Sequence, residues 1–311
     1  MRVLVTGAAG FIGSHLCRRL VAEGHDVVGL DDLSAGRLDN VSDVPELDLV
    51  EADLRDLEAV TKVANGCGAI LHHAARKSVP RSIREPEEFN EVNVGGTLNV
   101  LLAARKERAT VVFASSSSVY GDQDVYPLRE DVEPRPRSPY AATKLAGEAL
   151  VRAWWHSYGV PTITLRYFNV YGPGQDPESE YAAVIPRFAT ACLTAGTPVI
   201  YGDGEQARDF TYIDDVVQAN LLAMDAQESA FGHVLNAGGG REPTTVNRLL
   251  ELVAEHAGAS PTPRYEPARE GDIARSEADV SLARALLGYH PEVAIDEGVG
   301  RTVEWFAARG D

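Results

Sequence analysis

A tyrosine and a lysine that could exchange a proton with a substrate stand four residues apart in the middle of the chain. Tyr140 and Lys144 follow Pro139, and proline is favoured in the first turn of a helix. Positions i and i+4 share one helix face, so we expect the phenol and the ammonium to point into the same space. A nearby cation lowers the pKa of a phenol. The pair is suited to take a proton from a hydroxyl group while a hydride leaves the same carbon.

A glycine-rich turn near the N-terminus predicts a dinucleotide site. It lies between a predicted strand over 1–6 and a predicted helix over 13–23. Glycines let the backbone approach a pyrophosphate, and the start of a helix supplies N–H donors and a positive dipole. The predicted contacts of this segment are Gly7, Gly10, Phe11, Ile12 and Gly13.

Residues after the next strands predict how the rest of the cofactor is held. Asp31 ends the second predicted strand, where a carboxylate can bind both ribose hydroxyls and repels a 2′-phosphate. NAD is therefore favoured over NADP. Asp53 and Leu54 are placed to bracket the adenine, although Asp53 could equally cap a surface helix. The remaining predicted contacts are Asp32, Ala74 and Ala75.

Alternating strand and helix patterns predict an α/β fold, a Rossmann-type doubly wound parallel sheet. Right-handed crossovers bring the carboxyl ends of such strands to one ligand crevice. The predicted strands are 1–6, 26–30, 47–51, 69–72, 110–114 and 161–166, and the predicted helices are 13–23, 57–64, 93–105 and 140–158.

After residue 171 the pattern breaks into loops rich in proline and glycine, which predicts a smaller, discontinuous C-terminal substrate lobe. We expect residues 1–171 to form the cofactor domain, with returns to it around 213–240. Residues 172–212 and 241–311 are then expected to form the substrate lobe.

Composition disfavours several classes of function. The 311 residues carry a net charge of −17, with 29 Lys and Arg against 46 Asp and Glu, which disfavours binding to nucleic acid and to anionic membranes. No apolar run approaches the roughly 20 residues of a membrane helix. A strand at the N-terminus leaves no room for a signal peptide, so we expect a cytoplasmic protein. Cys17, Cys67 and Cys192 lack metal-ligand spacing, and no metal is expected.

Four consecutive serines, 115–118, follow the strand predicted over 110–114. The run could be a solvated loop, but beside Tyr140 and Lys144 one hydroxyl could hydrogen-bond the reacting oxygen. With this third feature the sequence resembles the extended short-chain dehydrogenase/reductase family, and specifically its UDP-sugar 4-epimerases. The matching segments are 6–13, Asp31, Asp53, 93–97, 116–121, 140–144, 166–172, 208–210 and 269–272.

The resemblance implies an internal redox cycle on C4 of a UDP-sugar. In such epimerases the residue matching Tyr140 is the base for the 4-hydroxyl, Lys144 lowers its pKa and binds the nicotinamide ribose, and Ser116 hydrogen-bonds the reacting oxygen. NAD takes the hydride from C4, the 4-keto sugar turns its other face, and the hydride returns with inverted configuration.

The resemblance also implies the contacts of the UDP-sugar. Asn169 contacts the diphosphate, and Arg208 and Arg269 clamp it, because a guanidinium fork matches phosphate oxygens. Surface ion pairing is the alternative for both arginines. The other implied substrate contacts are Lys77, Ser117, Ser118, Val184, Arg187, Tyr201, Asp272 and Ser276.

Related enzymes with other chemistry differ in the serine run. Nucleotide-sugar 4,6-dehydratases typically have an Asp-Glu pair at the positions of Ser117 and Ser118, and UDP-glucuronate decarboxylases typically have Glu at the position of Ser118. A serine cannot act as that general acid or base, so both reactions are disfavoured. A plain NAD-dependent reductase and an inactive NAD-binding protein are further alternatives; net formation of NADH would reveal the reductase.

The substrate itself stays open at this stage. Ser276 matches the position that gates the sugar pocket, and a small residue there leaves space for a 2-N-acetyl group. Segments 78–82 and 181–187 also resemble epimerases of N-acetylated sugars. A uronate would need cations and hydroxyl donors around C6, and Ser117 and Ser118 could be the hydroxyl donors. UDP-glucose or UDP-N-acetylglucosamine and UDP-glucuronate are therefore rivals, and the candidate cations for the uronate are Lys77, Arg81, Arg187 and Arg275.

Members of this family commonly pair through the helices that match 93–105 and 140–158, which implies a homodimer. Trp154 and Trp155 lie on the second of these helices, where they could face the partner. The adjacent His72 and His73 lack a third ligand, so loop and core roles are expected for them.

Overall fold

The computed structural model describes residues 1–176, 184–268 and 273–310. Its centre is a sheet of seven parallel strands in the order β11-β6-β5-β4-β1-β2-β3. The order reverses between β1 and β4, which is where a doubly wound sheet forms its ligand crevice. The predicted fold class is confirmed. The strands of this sheet are β1 Arg2–Thr6, β2 Asp26–Asp31, β3 Asp48–Glu51, β4 Ala69–His72, β5 Thr110–Ser116, β6 Thr162–Tyr167 and β11 Val234–Ala237.

Helices cover both faces of the sheet, as the strand periodicity requires. In β1 the side chains of Val3 and Val5 pack on one face with α1 and α8, while Leu4 packs on the other with α2 and α5. The helices on the two faces are α1 Phe11–Ala22, α2 Leu57–Val63, α5 Gly96–Glu107, α6 Pro139–Tyr158 and α8 Ile213–Met224, and the short helices α3 Val79–Arg84 and α4 Pro86–Asn90 pack against α6.

A separate hydrophobic cluster lies under the smaller sheets, centred on Phe188, Leu249 and Phe306. Here β7 pairs with β10, β9 lies between β12 and β14, and β8 pairs with β13. The division into domains at the residues given above stays a prediction. The elements are β7 Val170–Tyr171, β8 Val199–Tyr201, β9 Ala207–Arg208, β10 Thr211–Tyr212, β12 Thr244–Thr245, β13 Arg264–Glu266, β14 Arg275–Ser276, α7 Val184–Leu193, α9 Val246–His256, α10 Ser281–Leu287 and α11 Ile295–Arg309.

Several predicted boundaries are wrong near the crevice. The first helix begins at Phe11 rather than at Gly13, because Gly10 is its N-cap. The helix predicted over 93–105 consists of a π-helical turn, Glu91–Gly95, followed by α5. The two short helices α3 and α4 were not predicted, and each has a proline in its first turn.

None of the helices in the described ranges is both long and apolar enough to cross a membrane. Cys17, Cys67 and Cys192 are buried free thiols. Burial raises the pKa of Cys17 to about 12, so this thiol is unreactive at neutral pH.

Candidate active site

The predicted cofactor turn has the geometry of an anion site. Gly10 is the N-cap of α1 and gives the helix no side-chain cap, and the first backbone bond of the helix joins Ser14 N–H to Gly10 O at 3.0 Å. The first N–H groups of the helix, including those of Phe11 and Ile12, are therefore free of a capping side chain and can bind an anion.

Glycine is required at two positions of this turn. Gly7 has φ +73°, and a Cβ there would lie 2.8 Å from the backbone N of Ala74. A Cβ on Gly13 would overlap the carbonyl oxygen of Gly7. The turn is thus packed between the start of α1 and the chain after β4, where Ala74 and Ala75 are half-buried. This cradle fits a pyrophosphate, as predicted from the glycine spacing.

Asp31 lies buried at the end of β2, where the sequence predicted it. One carboxylate oxygen accepts from Ala9 N–H and the other from Leu33 N–H, both at 2.9 Å. Burial raises the pKa of Asp31, and these two backbone bonds oppose the shift. Each oxygen keeps a lone pair, so the carboxylate fits the two hydroxyls of a ribose.

Two residues near Asp31 have contacts that the sequence did not predict. Asp32 accepts the backbone N–H of Ser34 at 3.0 Å and forms an ion pair with Arg76 at 3.0 Å. Arg76 also binds Glu88 of α4 at 2.8 Å. Asp32 and Arg76 therefore connect the loop after β2 to the helices above the crevice.

The two predicted adenine contacts differ from each other. Leu54 is buried, and a Cβ on Gly96 would lie 2.7 Å from it, so Leu54 packs against α5. Asp53 forms an ion pair with Arg55 at 2.6 Å. The alternative that Asp53 caps a helix is wrong, because Asp56 caps α2 by accepting from Glu58 N–H and Ala59 N–H.

The catalytic pair lies at the start of α6. Ser138 caps the helix by accepting Ala141 N–H at 3.1 Å, and Pro139 occupies the first turn. Lys144 is buried; its Nζ donates to Ala114 O at 2.8 Å and lies 5.2 Å from the ring centroid of Phe113. The predicted common face of Tyr140 and Lys144 is present on one 20-residue helix.

The serine run begins inside the sheet rather than after it. Ser115 and Ser116 belong to β5, and Ser117 and Ser118 begin a short 3₁₀ helix, Ser117–Tyr120. Ser116 accepts Ser118 N–H at 3.2 Å. In the described part of the chain, the hydroxyl oxygen of Ser118 is buried without a hydrogen-bond partner.

Burial governs the titration of both members of the catalytic pair. Burial raises the pKa of Tyr140, and a hydrogen bond from Ser116 opposes that shift. Burial also lowers the pKa of Lys144 to about 8, and the charge of Glu148 opposes this. Ser116 and Tyr140 together can hold a hydroxyl and exchange its proton at the carboxyl end of β5.

A cavity of about 250 Å³ brings together five of the eleven predicted substrate contacts. Phe210, Gln206 and Ile185 also line this cavity; the sequence did not assign them, although Phe210 follows the matching residue Arg208. Arg187 lies 5.7 Å from the ring centroid of Tyr201. The predicted contacts in the cavity wall are Asn169, Val184, Arg187, Tyr201 and Arg208.

Ser276 contacts two residues of the cavity wall, Arg208 and Asn169. It lies in β14, opposite Arg208 of β9, and is buried. Asn169 has φ +33° and donates from Nδ2 to Asp209 O at 2.8 Å and to Ser276 Oγ at 3.2 Å. Asp209 is buried and accepts Gly239 N–H and Ala278 N–H. It therefore connects the chain after β9 to the chain that follows β11 and β14.

Four further predicted substrate contacts, Lys77, Ser117, Ser118 and Ser276, do not line the cavity. Lys77 is exposed beside Ser78, whose φ is +99°. Arg269 and Asp272 lie outside the described residues, as do residues 181–183 of the segment that resembles epimerases of N-acetylated sugars.

Two of the candidate cations for a uronate are already paired. Arg81 binds Glu85 at 2.6 Å and Glu88 at 2.7 Å. Arg275 binds Glu277 at 2.7 Å. These carboxylates engage the Nε and one Nη group of each guanidinium and leave fewer donors for a substrate carboxylate.

His72 and His73 have the core roles that the sequence predicted. His72 is hydrogen-bonded to Thr6 Oγ1 at 2.7 Å and to Thr97 Oγ1 at 3.0 Å, and His73 to Tyr167 at 2.8 Å. Burial lowers the pKa of His73 to about 4. In the described ranges, no group of three or more His, Cys, Asp or Glu side chains could hold a metal ion.

Comparison with known proteins places the chain in a family. Residues 3–238 match the model of the NAD dependent epimerase/dehydratase family. The UDP-glucose 4-epimerase of Mycolicibacterium smegmatis is 44% identical over 98% of both chains. The chain belongs to the NAD dependent epimerase/dehydratase family.

Solved structures extend this similarity to the whole fold. A UDP-glucose 4-epimerase from Thermotoga maritima, in complex with UDP-glucose, has a TM-score of 0.95 at 38% identity, covering all of both chains. A UDP-glucuronic acid 4-epimerase from Bacillus cereus, in complex with UDP-glucuronic acid and NAD, has a TM-score of 0.92 at 31% identity, over 99% of this chain and 100% of that one.

Proposed function

We propose that this protein is an NAD-dependent UDP-sugar 4-epimerase. The proposal rests on one observation. Ser116 is hydrogen-bonded to Tyr140 at the carboxyl end of β5, and Lys144 is buried one helical turn after Tyr140. The glycine turn and Asp31 fit a dinucleotide along the same edge of the sheet. The cavity lined by Asn169 and Arg208 then holds the nucleotide diphosphate.

In the proposed cycle the protein moves a proton while the cofactor moves a hydride. NAD, which the glycine turn and Asp31 would hold, would supply the acceptor for the hydride of C4 and the donor for its return to the opposite face. Tyr140 takes the proton of the 4-hydroxyl, with Ser116 bonded to the same oxygen, and gives it back after the keto sugar has turned. Lys144 supplies the positive charge that favours the phenolate.

The residues after Ser116 support epimerisation over related reactions. Elimination of water or loss of carbon dioxide needs a further acid or base beside the sugar. Ser117 and Ser118 occupy those positions here and carry hydroxyls that do not titrate near neutral pH. Return of the hydride is therefore favoured over elimination and decarboxylation.

We further propose neutral UDP-hexoses as the preferred substrates, namely UDP-glucose and UDP-N-acetylglucosamine. The ion pairs of Arg81 and Arg275 leave fewer cations for a uronate carboxylate. The small side chain of Ser276 leaves room for a substituent at C2. UDP-glucuronate remains the competing substrate, since Lys77 and Arg187 are still available for its carboxylate.

The test is a panel of UDP-glucose, UDP-N-acetylglucosamine and UDP-glucuronate, each incubated with the enzyme and NAD. The C4 epimers are resolved by proton NMR, and reduced nicotinamide is followed by absorbance. We expect conversion of the neutral sugars with no net NADH. Faster conversion of the uronate would overturn the substrate assignment, and net NADH would indicate an ordinary dehydrogenase.

We also propose that the protein forms a homodimer through α5 and α6. The two helices lie side by side, because Trp154 Nε1 donates to Leu101 O at 3.0 Å. Leu98 and Leu102 are 37% and 38% exposed on the outer face of α5. Trp155 is not part of this surface, since it packs against Phe231.

A further inference from the structure

A buried carboxylate lies one helical turn beyond the catalytic lysine. Glu148 of α6 accepts from Arg166 Nε at 2.9 Å and from Arg166 Nη2 at 2.7 Å, so the ion pair is bidentate. Ser115 Oγ donates to Glu148 Oε1 at 2.5 Å. The side chains of Glu148 and Arg166 are each only 4% exposed. None of the roles assigned above uses this group of residues.

Glu148 joins three elements that carry the proposed site. It stands on the same helix as Tyr140 and Lys144, eight and four positions later, and so on the same face. Its partner Ser115 immediately precedes Ser116 in β5, and its partner Arg166 lies in β6, whose chain continues to Asn169. One carboxylate thus holds the helix of the base against the strand that bears its hydroxyl partner.

The charges around Lys144 give Glu148 a second effect. Tyr140 and Glu148 stand four positions before and after Lys144 on its own helix. His72, at the end of β4, and His73, just after it, interact with the charge of Lys144. His72 and His73 are neutral, because burial lowers their pKa values. Among the described residues, the charge that favours the ammonium form of Lys144 is that of Glu148.

A buried ion pair needs a reason beyond stability. Removing two charges from water costs free energy that their attraction does not always recover, and well-packed apolar residues often stabilise a fold as much. Here the carboxylate stands one helical turn after Lys144 on α6 and binds Ser115, the residue next to Ser116. A positional and electrostatic role for the site explains both observations.

We propose that Glu148 is a positioning residue for the catalytic pair: held by Arg166 and Ser115, it fixes the Tyr140 face of α6 against β5 and balances the charge of Lys144. This inference rests on the proposed function for its role in turnover. The ionisation of Tyr140 can be measured without any sugar, so the two proposals can fail separately.

The experiment compares Glu148→Gln with Glu148→Asp, which keeps the charge. Each variant is titrated with NAD bound, and the tyrosinate absorbance of Tyr140 is isolated by subtracting the same protein carrying Tyr140→Phe. Loss of the carboxylate leaves the Arg166 charge unbalanced, so both Tyr140 and Lys144 lose their protons more easily. We expect the Glu148→Gln midpoint to fall by about one pH unit, and the Glu148→Asp midpoint to stay close to wild type.

The same shift is expected in turnover, with both limbs of the kcat profile of Glu148→Gln moving to lower pH. Val151→Ala is the matched control, because Val151 is buried on the same helix and carries no charge. It should lower the melting temperature and leave the pH profile in place. A Glu148→Gln variant that loses activity with an unmoved midpoint would overturn the proposal and reduce the pair to a structural role.

Glu148→Gln leaves a buried guanidinium unpaired, so its folding is checked by circular dichroism and thermal unfolding. The double variant Glu148→Gln/Arg166→Gln removes both charges and carries the test if the single variant does not fold. We expect it to shift the Tyr140 midpoint in the same direction by a smaller amount, because the carboxylate is nearer to Lys144 along α6. A midpoint equal to wild type would contradict the electrostatic role.

Discussion

At the residue scale, burial disfavours the charged forms of both Tyr140, the proposed base, and Lys144, its neighbouring cation. Burial raises the pKa of Tyr140 and lowers that of Lys144 to about 8, so each charge alone is disfavoured. Formed together, the phenolate and the ammonium stabilise each other in a medium of low dielectric constant. Ser116 adds a hydrogen bond to the phenolate. The phenolate of Tyr140 is therefore favoured as a base when Lys144 is charged at the same time, so the two ionisations are coupled.

Removing the phenol tests this directly. We expect Tyr140→Phe to lower kcat by about 10²–10⁴-fold, the usual contribution of general acid–base catalysis. Affinity for NAD and for the UDP-sugar should change little, because the ring stays in place. Epimerisation is followed by NMR and binding by calorimetry.

Tyr158→Phe is the control, since Tyr158 lies at the exposed far end of the same helix. It should turn over like wild type. A Tyr140→Phe enzyme with wild-type kcat would remove Tyr140 from the proposed mechanism.

At the element scale, contacts between backbone atoms, rather than side-chain packing, restrict which residue types the turn between β1 and α1 can accept. A Cβ on Gly13 would meet the Gly7 carbonyl group and the Cα of Ala8, and backbone atoms cannot rotate away. We expect Gly13→Ala to displace the start of α1 and to weaken NAD binding by about tenfold or more, a loss of at least about 1.4 kcal/mol. Isothermal titration with NAD measures it.

Gly95→Ala is the matched control for this substitution. No atom lies within 4 Å of a Cβ built at Gly95, at the end of the π-helical turn. It should bind NAD as wild type does and change stability by less than about 1 kcal/mol. Equal affinities of Gly13→Ala and wild type would mean that the turn does not hold the cofactor.

The parts of the site that could be predicted are those whose residues lie close together in the sequence. The spacing of Tyr140 and Lys144 follows from helix geometry, and the glycine turn follows from its place between a strand and a helix. The Glu148 contacts have no local signal, since they join residues on three elements that only the packed sheet brings together. The i+4 step from Lys144 to Glu148 was the one available hint.

Some predicted boundaries of helices were wrong for similar reasons. The predicted helix start at Gly13 leaves out Phe11 and Ile12, because the glycine spacing does not show that Gly10 is the N-cap of α1. The π-helical turn Glu91–Gly95 depends on tertiary contacts: Asn93 donates to Thr143 of α6 at 3.0 Å and accepts Arg76 N–H at 2.7 Å. Hydrophobic periodicity carries no information about such long-range bonds.

At the scale of the whole molecule, the net charge of −17 opposes association of two chains, whereas the apolar face of α5 favours it. Salt screens charges separated by more than about 10 Å at 0.1 M and leaves apolar contacts intact. We therefore expect the proposed dimer to be tighter at high ionic strength. Light scattering at micromolar concentration, in low and in high salt, measures the mass.

The face itself is tested by Leu98→Glu. The substitution places a charge in the proposed contact, where it would be buried without a partner, so we expect a monomer at both salt concentrations. Leu38→Glu adds the same charge at a residue that is 58% exposed on another surface, and it should remain dimeric. If both variants dissociate equally, net charge alone controls assembly. A Leu98→Glu dimer as stable as wild type would place the interface elsewhere, because a carboxylate at the centre of the contact could not be tolerated.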